Sequence, residues 1–152
     1  ARRHIAYDRY LADEVVPAIR RQNSDLALEL VGASFGAFHA VALATRHAGI
    51  ASRVIGLSGA YDAARWLEGF REHDAYFVNP LAYLPGLTDD RQLRSLRETE
   101  FVIATGADDQ NVGASRQLVS ILQEKGVPAA LHLWDGWAHD WPYWKEMVDT
   151  FL

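Results

Sequence analysis

Leu26-Ala27-Leu28-Glu29-Leu30-Val31-Gly32-Ala33-Ser34-Phe35-Gly36-Ala37-Phe38-His39-Ala40 decides how the rest of this 152-residue chain is read. The apolar run 26–31 predicts a buried strand, the stretch 37–44 predicts a helix, and Ser34 stands at the turn between them. A turn that tight strains the serine backbone. Side chains two positions to either side are expected to collide with the strand or the helix, and glycine at 32 and 36 removes both collisions. The serine hydroxyl is then expected to stand clear of the strand's C-terminal end, beside the first N–H groups of the helix. In that context Gly-x-Ser-x-Gly reads as a nucleophile elbow.

A serine hydroxyl becomes a useful nucleophile only when an imidazole takes its proton and a carboxylate orients that imidazole. Phe101-Val102-Ile103-Ala104-Thr105-Gly106 predicts a second buried strand, followed by Ala107-Asp108-Asp109. Ala130-Leu131-His132-Leu133-Trp134 predicts another, followed by Asp135-Gly136-Trp137-Ala138-His139 and a helix. A parallel sheet gathers the residues beyond its strand ends on one rim. Ser34, His139 and either Asp108 or Asp109 are therefore expected to meet.

These stretches resemble a known family. Gly32–Ala40, the strand with Gly106-x-x-Asp109, and Trp134-Asp135-Gly136-Trp137-Ala138-His139-Asp140-Trp141-Pro142 are similar to the α/β-hydrolase superfamily. Within it they resemble the esterase-D-type esterases, relatives of feruloyl esterases and S-formylglutathione hydrolase. The resemblance implies a serine esterase acting through Ser34, Asp109 and His139, with Asp109 preferred over Asp108. It also implies that the Phe35 N–H is one oxyanion-hole donor. Full members carry several more strands before the elbow, so the expected fold is a truncated α/β-hydrolase-like parallel sheet of about four strands flanked by helices. Residues 1–152 are expected to form one catalytic domain, the C-terminal half of the usual fold. The loop that normally supplies the second oxyanion donor is then missing.

The remaining segments fit alternating strands and helices, the pattern of an α/β fold with a parallel sheet. A helix is expected over 2–20 with a kink at Pro17, a strand over 54–58, a helix near 113–125, and a last helix capped by Asp140. With nothing strand-like in 1–25, strand 26–31 becomes an open sheet edge, which predicts a homodimer or higher homo-oligomer, the alternative being that the chain is one fragment of a larger protein. A net charge of −5 without a basic run argues against nucleic acid or an anionic membrane as partner. Zero cysteine excludes disulfides and a cysteine nucleophile and fits a reducing compartment, so a cytoplasmic enzyme is expected. No histidine or carboxylate pattern has metal-ligand spacing, and neither metal nor cofactor is expected.

Other residues have competing roles. His39 and His132 read as packing residues, and Trp134, Trp141 and Trp144 as core. Trp137 and the aromatics of the irregular segment 59–100, Tyr61, Trp66 and Tyr76, are candidates to contact a small-molecule ester substrate.

Overall fold

Four short apolar segments build one parallel sheet in the computed structural model, which describes residues 2–24, 26–66 and 73–152. Helix α1 (Arg2–Tyr10), a π-helical turn (Leu11–Val15) and α2 (Val16–Gln22) lead to β1 (Glu29–Ala33), α3 (Phe35–Arg46) and β2 (Arg53–Leu57). A 3₁₀ turn (Ala63–Trp66) and the short helices α4 (His73–Val78), α5 (Pro80–Tyr83) and α6 (Asp90–Leu96) follow. Then come β3 (Glu100–Gly106), α7 (Val112–Glu124), β4 (Ala129–Trp134) and α8 (Trp141–Phe151). The strand order is β1-β2-β3-β4, so all four strands finish at the same rim.

Alternation along the strands divides the core in two. Leu30, Val54, Phe101, Ile103 and Leu131 face the layer of α3, α5 and α7, where Leu118 and Leu122 are fully buried. Ile55, Leu57, Val102 and Ala104 face α8 through Met147, Trp144 and Phe151. Val31 pairs in register with Ile55 yet is 42% exposed, because no described helix covers that face of β1. Among the described residues no helix is long and apolar enough to cross a membrane.

Three boundaries differ from the sequence expectation. Strand β1 starts at Glu29 rather than Leu26, since pairing begins where Glu29 meets Arg53, and Leu26 is left 71% exposed. The kink expected at Pro17 is a widened turn over Leu11–Val15, with Pro17 in the first turn of α2. A proline lacks the N–H that would close a regular turn onto Asp13, which fits a break just upstream of it. Strand β2 likewise runs over 53–57. As expected, β1 is an edge strand.

Helix α1 docks on α3 through polar as well as apolar contacts. The buried Asp8 carboxylate lies 2.8 Å from His47 Nε2 and 3.6 Å from Arg46. His4 Nδ1 lies 3.1 Å from His39 Nδ1, and their rings stack between Phe38 and Tyr7. Burial, then the neighbouring His39 and Arg46, pull His4 down to about 4, against a weaker opposing pull from Asp8. Burial also lowers His39. Between pH 6.5 and about 4 the unfolded chain therefore binds more protons at His4 than the folded chain, so stability falls as pH falls. Melting temperature is expected to drop across this window, and His4→Phe is expected to flatten the drop; thermal melts at pH 7, 6 and 5 check this.

Candidate active site

Ser34 ends β1 and opens α3 in one step, at φ 53° and ψ −114°. That region costs a non-glycine residue about 1–3 kcal/mol, so the fold must hold it there. The Ser34 N–H donates to the Leu57 carbonyl at 2.8 Å, and its own carbonyl accepts from Ala60 N at 3.3 Å. A Cβ on Gly32 would run into the Gly36 carbonyl, so this glycine is required by the close crossing of strand and helix. Gly36 differs from expectation. A Cβ there meets nothing, because β1 has no outer neighbour on that side.

Beyond β3 the chain turns at Gly106, where a Cβ would strike the Trp137 and Gly136 carbonyls. That contact lets the loop after β4 cross directly over the end of β3, and the Asp108 N–H holds it by donating to the Gly136 carbonyl at 2.9 Å. Asp109 points inward, 2% exposed, while Asp108 is exposed. Three donors converge on the Asp109 carboxylate: Thr105 Oγ1 at 2.9 Å, the Asn111 N–H at 2.9 Å, and His139 Nδ1 at 2.9 Å. A carboxylate accepts, so Nδ1 carries the ring proton and Nε2 presents its lone pair. Ser34 Oγ lies 3.1 Å from that Nε2 and donates to it. Ser34, His139 and Asp109 thus form one continuous hydrogen-bonded line, half-buried at the serine and fully buried at the carboxylate.

The substrate-side expectations divide. Trp137 lies face to face with the His139 ring, centroids 5.6 Å apart at 24°, and is 53% exposed. Phe35, the first residue of α3, is also exposed beside Ser34. Tyr61, expected at the substrate, is fully buried in the core against α3 and α7, which leaves it no surface to offer. Tyr76 lines a pocket of about 420 Å³ with Arg46, Tyr83 and Gln92. That pocket is at the end of α3 opposite Ser34, one helix length of roughly 18 Å away. The Trp66 side chain lies outside the described residues. Trp141, expected in the core, is 68% exposed, whereas Trp134 and Trp144 pack against it. Thr105, Asn111 and Ser58 carry no motif, and nothing in the local sequence points to them.

An edge-strand serine, bonded in line to an imidazole and a buried carboxylate at the rim of a parallel sheet, can be set beside known proteins. The chain belongs to the esterase family described as "Putative esterase", which matches residues 2–150. No curated protein sequence gives a significant match. Among solved structures, a ferulic acid esterase is similar with a TM-score of 0.76 at 20% identity, covering 96% of this chain and 58% of that one. S-formylglutathione hydrolase from Staphylococcus aureus has a TM-score of 0.64 at 16% identity, covering 97% and 63%. The capsule O-acetyltransferase of Neisseria meningitidis serogroup A has a TM-score of 0.59 at 17% identity, covering 91% and 60%. The chain spans about 60% of the length of these structures, and the fold is that of the α/β hydrolases.

The two glycines of the elbow should separate experimentally. Gly32→Ala is expected to destabilise by about 1–3 kcal/mol through overpacking, and Gly36→Ala to be neutral or to stabilise by up to ~1 kcal/mol. Urea midpoints of the two variants against wild type measure both.

Proposed function

We propose that this esterase-family chain is a serine carboxylesterase that hydrolyses small or aryl esters through an acyl-enzyme. The observation carrying the proposal is the line Ser34 Oγ–His139 Nε2, His139 Nδ1–Asp109. In the first step Ser34 Oγ bonds to the ester carbonyl carbon while its proton moves to His139 Nε2. The same proton then leaves with the alcohol as the C–O bond breaks. In the second step His139 takes a proton from water, the hydroxide attacks the acyl carbon, and the acid departs as Ser34 recovers its proton. Asp109 stabilises the imidazolium in both steps, and the Phe35 N–H is the assigned oxyanion donor. Trp137 is the assigned substrate contact, since its exposed indole flanks the imidazole. No step calls for a metal or cofactor.

A second reading is acyl transfer to an alcohol acceptor, favoured by the likeness to the O-acetyltransferase fold. Product analysis with added alcohol separates the two. A third, a non-catalytic binding module, predicts no covalent labelling of Ser34 by a fluorophosphonate.

Ser34→Ala and His139→Ala are each expected to abolish turnover of p-nitrophenyl esters, by roughly 10⁶-fold in kcat, and the double variant to be little worse. Asp109→Asn is expected to cost on the order of 10⁴-fold, and Asp108→Asn little. Activity is expected to fall on acidification, because a protonated imidazole accepts nothing from Ser34, and to be indifferent to a chelator. Turnover by Ser34→Ala would overturn the assignment.

The open edge of β1 supports self-association as part of the same proposal. Its groove, about 350 Å³, is lined by Leu11, Val15, Ile19, Leu30, Val31 and Gly36. A second copy seated there is expected to make a dimer visible by light scattering, with a large apolar interface. A monodisperse, active monomer would remove it.

A further inference from the structure

Among the described residues only three non-glycine residues have positive φ: Ser34 at 53°, Ser58 at 48° and Ala138 at 40°. They belong to three different turns, after β1, after β2 and after β4, and all three lie at one place. Ser34 is the proposed nucleophile and Ala138 immediately precedes His139. Ser58 has no role in the chemistry described above.

Ser58 is fully buried, and its hydroxyl has one proton to give and lone pairs to offer. The proton goes to the carbonyl of Ala138 at 2.9 Å. A lone pair receives the indole N–H of Trp144 at 3.1 Å. Trp144 in turn sets its ring edge against the His139 imidazole, centroids 5.4 Å apart at 64°. The Ser58 N–H donates to the Ala104 carbonyl at 2.7 Å, tying this turn to β3. Its own carbonyl accepts from the Asn111 side chain at 3.4 Å, and the Asn111 N–H donates to Asp109. One serine thus reaches the backbone before the imidazole, the ring that flanks the imidazole, and the loop that carries the acid.

We propose that Ser58 is a positioning residue: its hydroxyl clamps the Ala138 carbonyl and the Trp144 indole, and so fixes the His139 ring between Ser34 and Asp109. Two torsionally free single bonds, χ1 and χ2, otherwise separate the imidazole from its backbone. The Ser58 clamp acts on both sides of that hinge, through the main chain at Ala138 and through the packed ring of Trp144. A left-handed backbone favours glycine. Serine is held there at a cost, which a buried hydroxyl with two hydrogen-bond partners offsets.

This rests on the triad reading, so the test carries a measurement independent of turnover. Ser58→Ala removes the hydroxyl, Ser58→Gly removes it while relieving the backbone, and Trp144→Phe removes the indole donor together with part of the ring that flanks His139. Thr99→Val is the control, because Thr99 is an equally buried hydroxyl bonded to the Ala51 carbonyl at the opposite end of the sheet. In p-nitrophenyl ester hydrolysis the Ser58 variants are expected to lose about tenfold to 10²-fold in kcat with KM nearly unchanged, as for a misplaced catalytic group. Trp144→Phe is expected to act in the same direction, and Thr99→Val to leave both constants alone. The downfield proton resonance of the His139 Nδ1–H bond to Asp109, assigned by its loss in His139→Ala, is expected to broaden or shift in the Ser58 and Trp144 variants and to stay in place in Thr99→Val. Should Ser58→Ala not fold, Ser58→Gly and Trp144→Phe decide. Wild-type kcat and an unmoved resonance in these variants, or changes matched by Thr99→Val, overturn the proposal. If wild type itself turns over no ester, the triad reading fails while the resonance still decides whether Ser58 positions His139.

Discussion

A buried carboxylate at a strand end is the constraint on which this structure turns. Asp109 is removed from water, and an unsatisfied buried charge would cost several kcal/mol. The chain meets that demand with Thr105 from β3, the Asn111 N–H at the start of α7, and His139 from the loop after β4. Satisfying Asp109 therefore draws three separate pieces of backbone to one point. The imidazole arrives with its tautomer already chosen, and its free nitrogen faces the Ser34 hydroxyl. The same hydrogen bonds that stabilise the fold select the protonation pattern the proposed chemistry needs.

The strain at this rim has a common cause. Parallel strands end side by side, at spacings of about 5 Å, and each must leave the sheet at once to make room for its neighbour's turn. Three of those turns hold a non-glycine residue at positive φ. Each is held by a short backbone or side-chain hydrogen bond: Ser34 N to Leu57, Ser58 N to Ala104, and Ser58 Oγ to the Ala138 carbonyl. Glycine stands where two chains touch, at Gly32 against α3 and at Gly106 against the His139 loop, and also at Gly136 after β4, where φ is 73° and the space is open. Side chains at the strained positions are thus free to do other work, which is where Ser34 and Ser58 stand.

Much of this was legible in the residues, for reasons that are local. A strand followed by a tight turn leaves an alternating or apolar run and a glycine, and the parallel sheet then fixes which ends converge. That logic placed Ser34, Asp109 and His139 together, although 75 residues separate the first pair and 30 the second. It failed where position depends on distant packing. Tyr61 looked like a loop aromatic but fills the core between the sheet and its helices, and Tyr76 sits at the far end of α3. Ser58 was invisible because its partners lie 80 and 86 residues away in sequence. The start of β1 was misread since hydrophobicity continues through Leu26, whereas pairing starts only opposite Arg53.

The position of Ser34 on an edge strand has a consequence for the proposed chemistry. Its inner side is crowded: β2 receives its N–H, the β2 loop donates to its carbonyl, and Gly32 touches α3. Its outer side is open, with room for a side chain at Gly36 and an exposed Val31 beside it. The serine proton is positioned by residues of the chain itself, Ser34 Oγ facing His139 Nε2, while the proposed chemistry gives the developing oxyanion one donor, the Phe35 N–H. One oxyanion donor is worth about 10²–10³ in rate, or ~2.7–4 kcal/mol. Proton transfer and oxyanion stabilisation thus draw on different sides of the same residue. The buried side is held by hydrogen bonds within the chain; the open side lies along the same edge through which a second copy is proposed to dock.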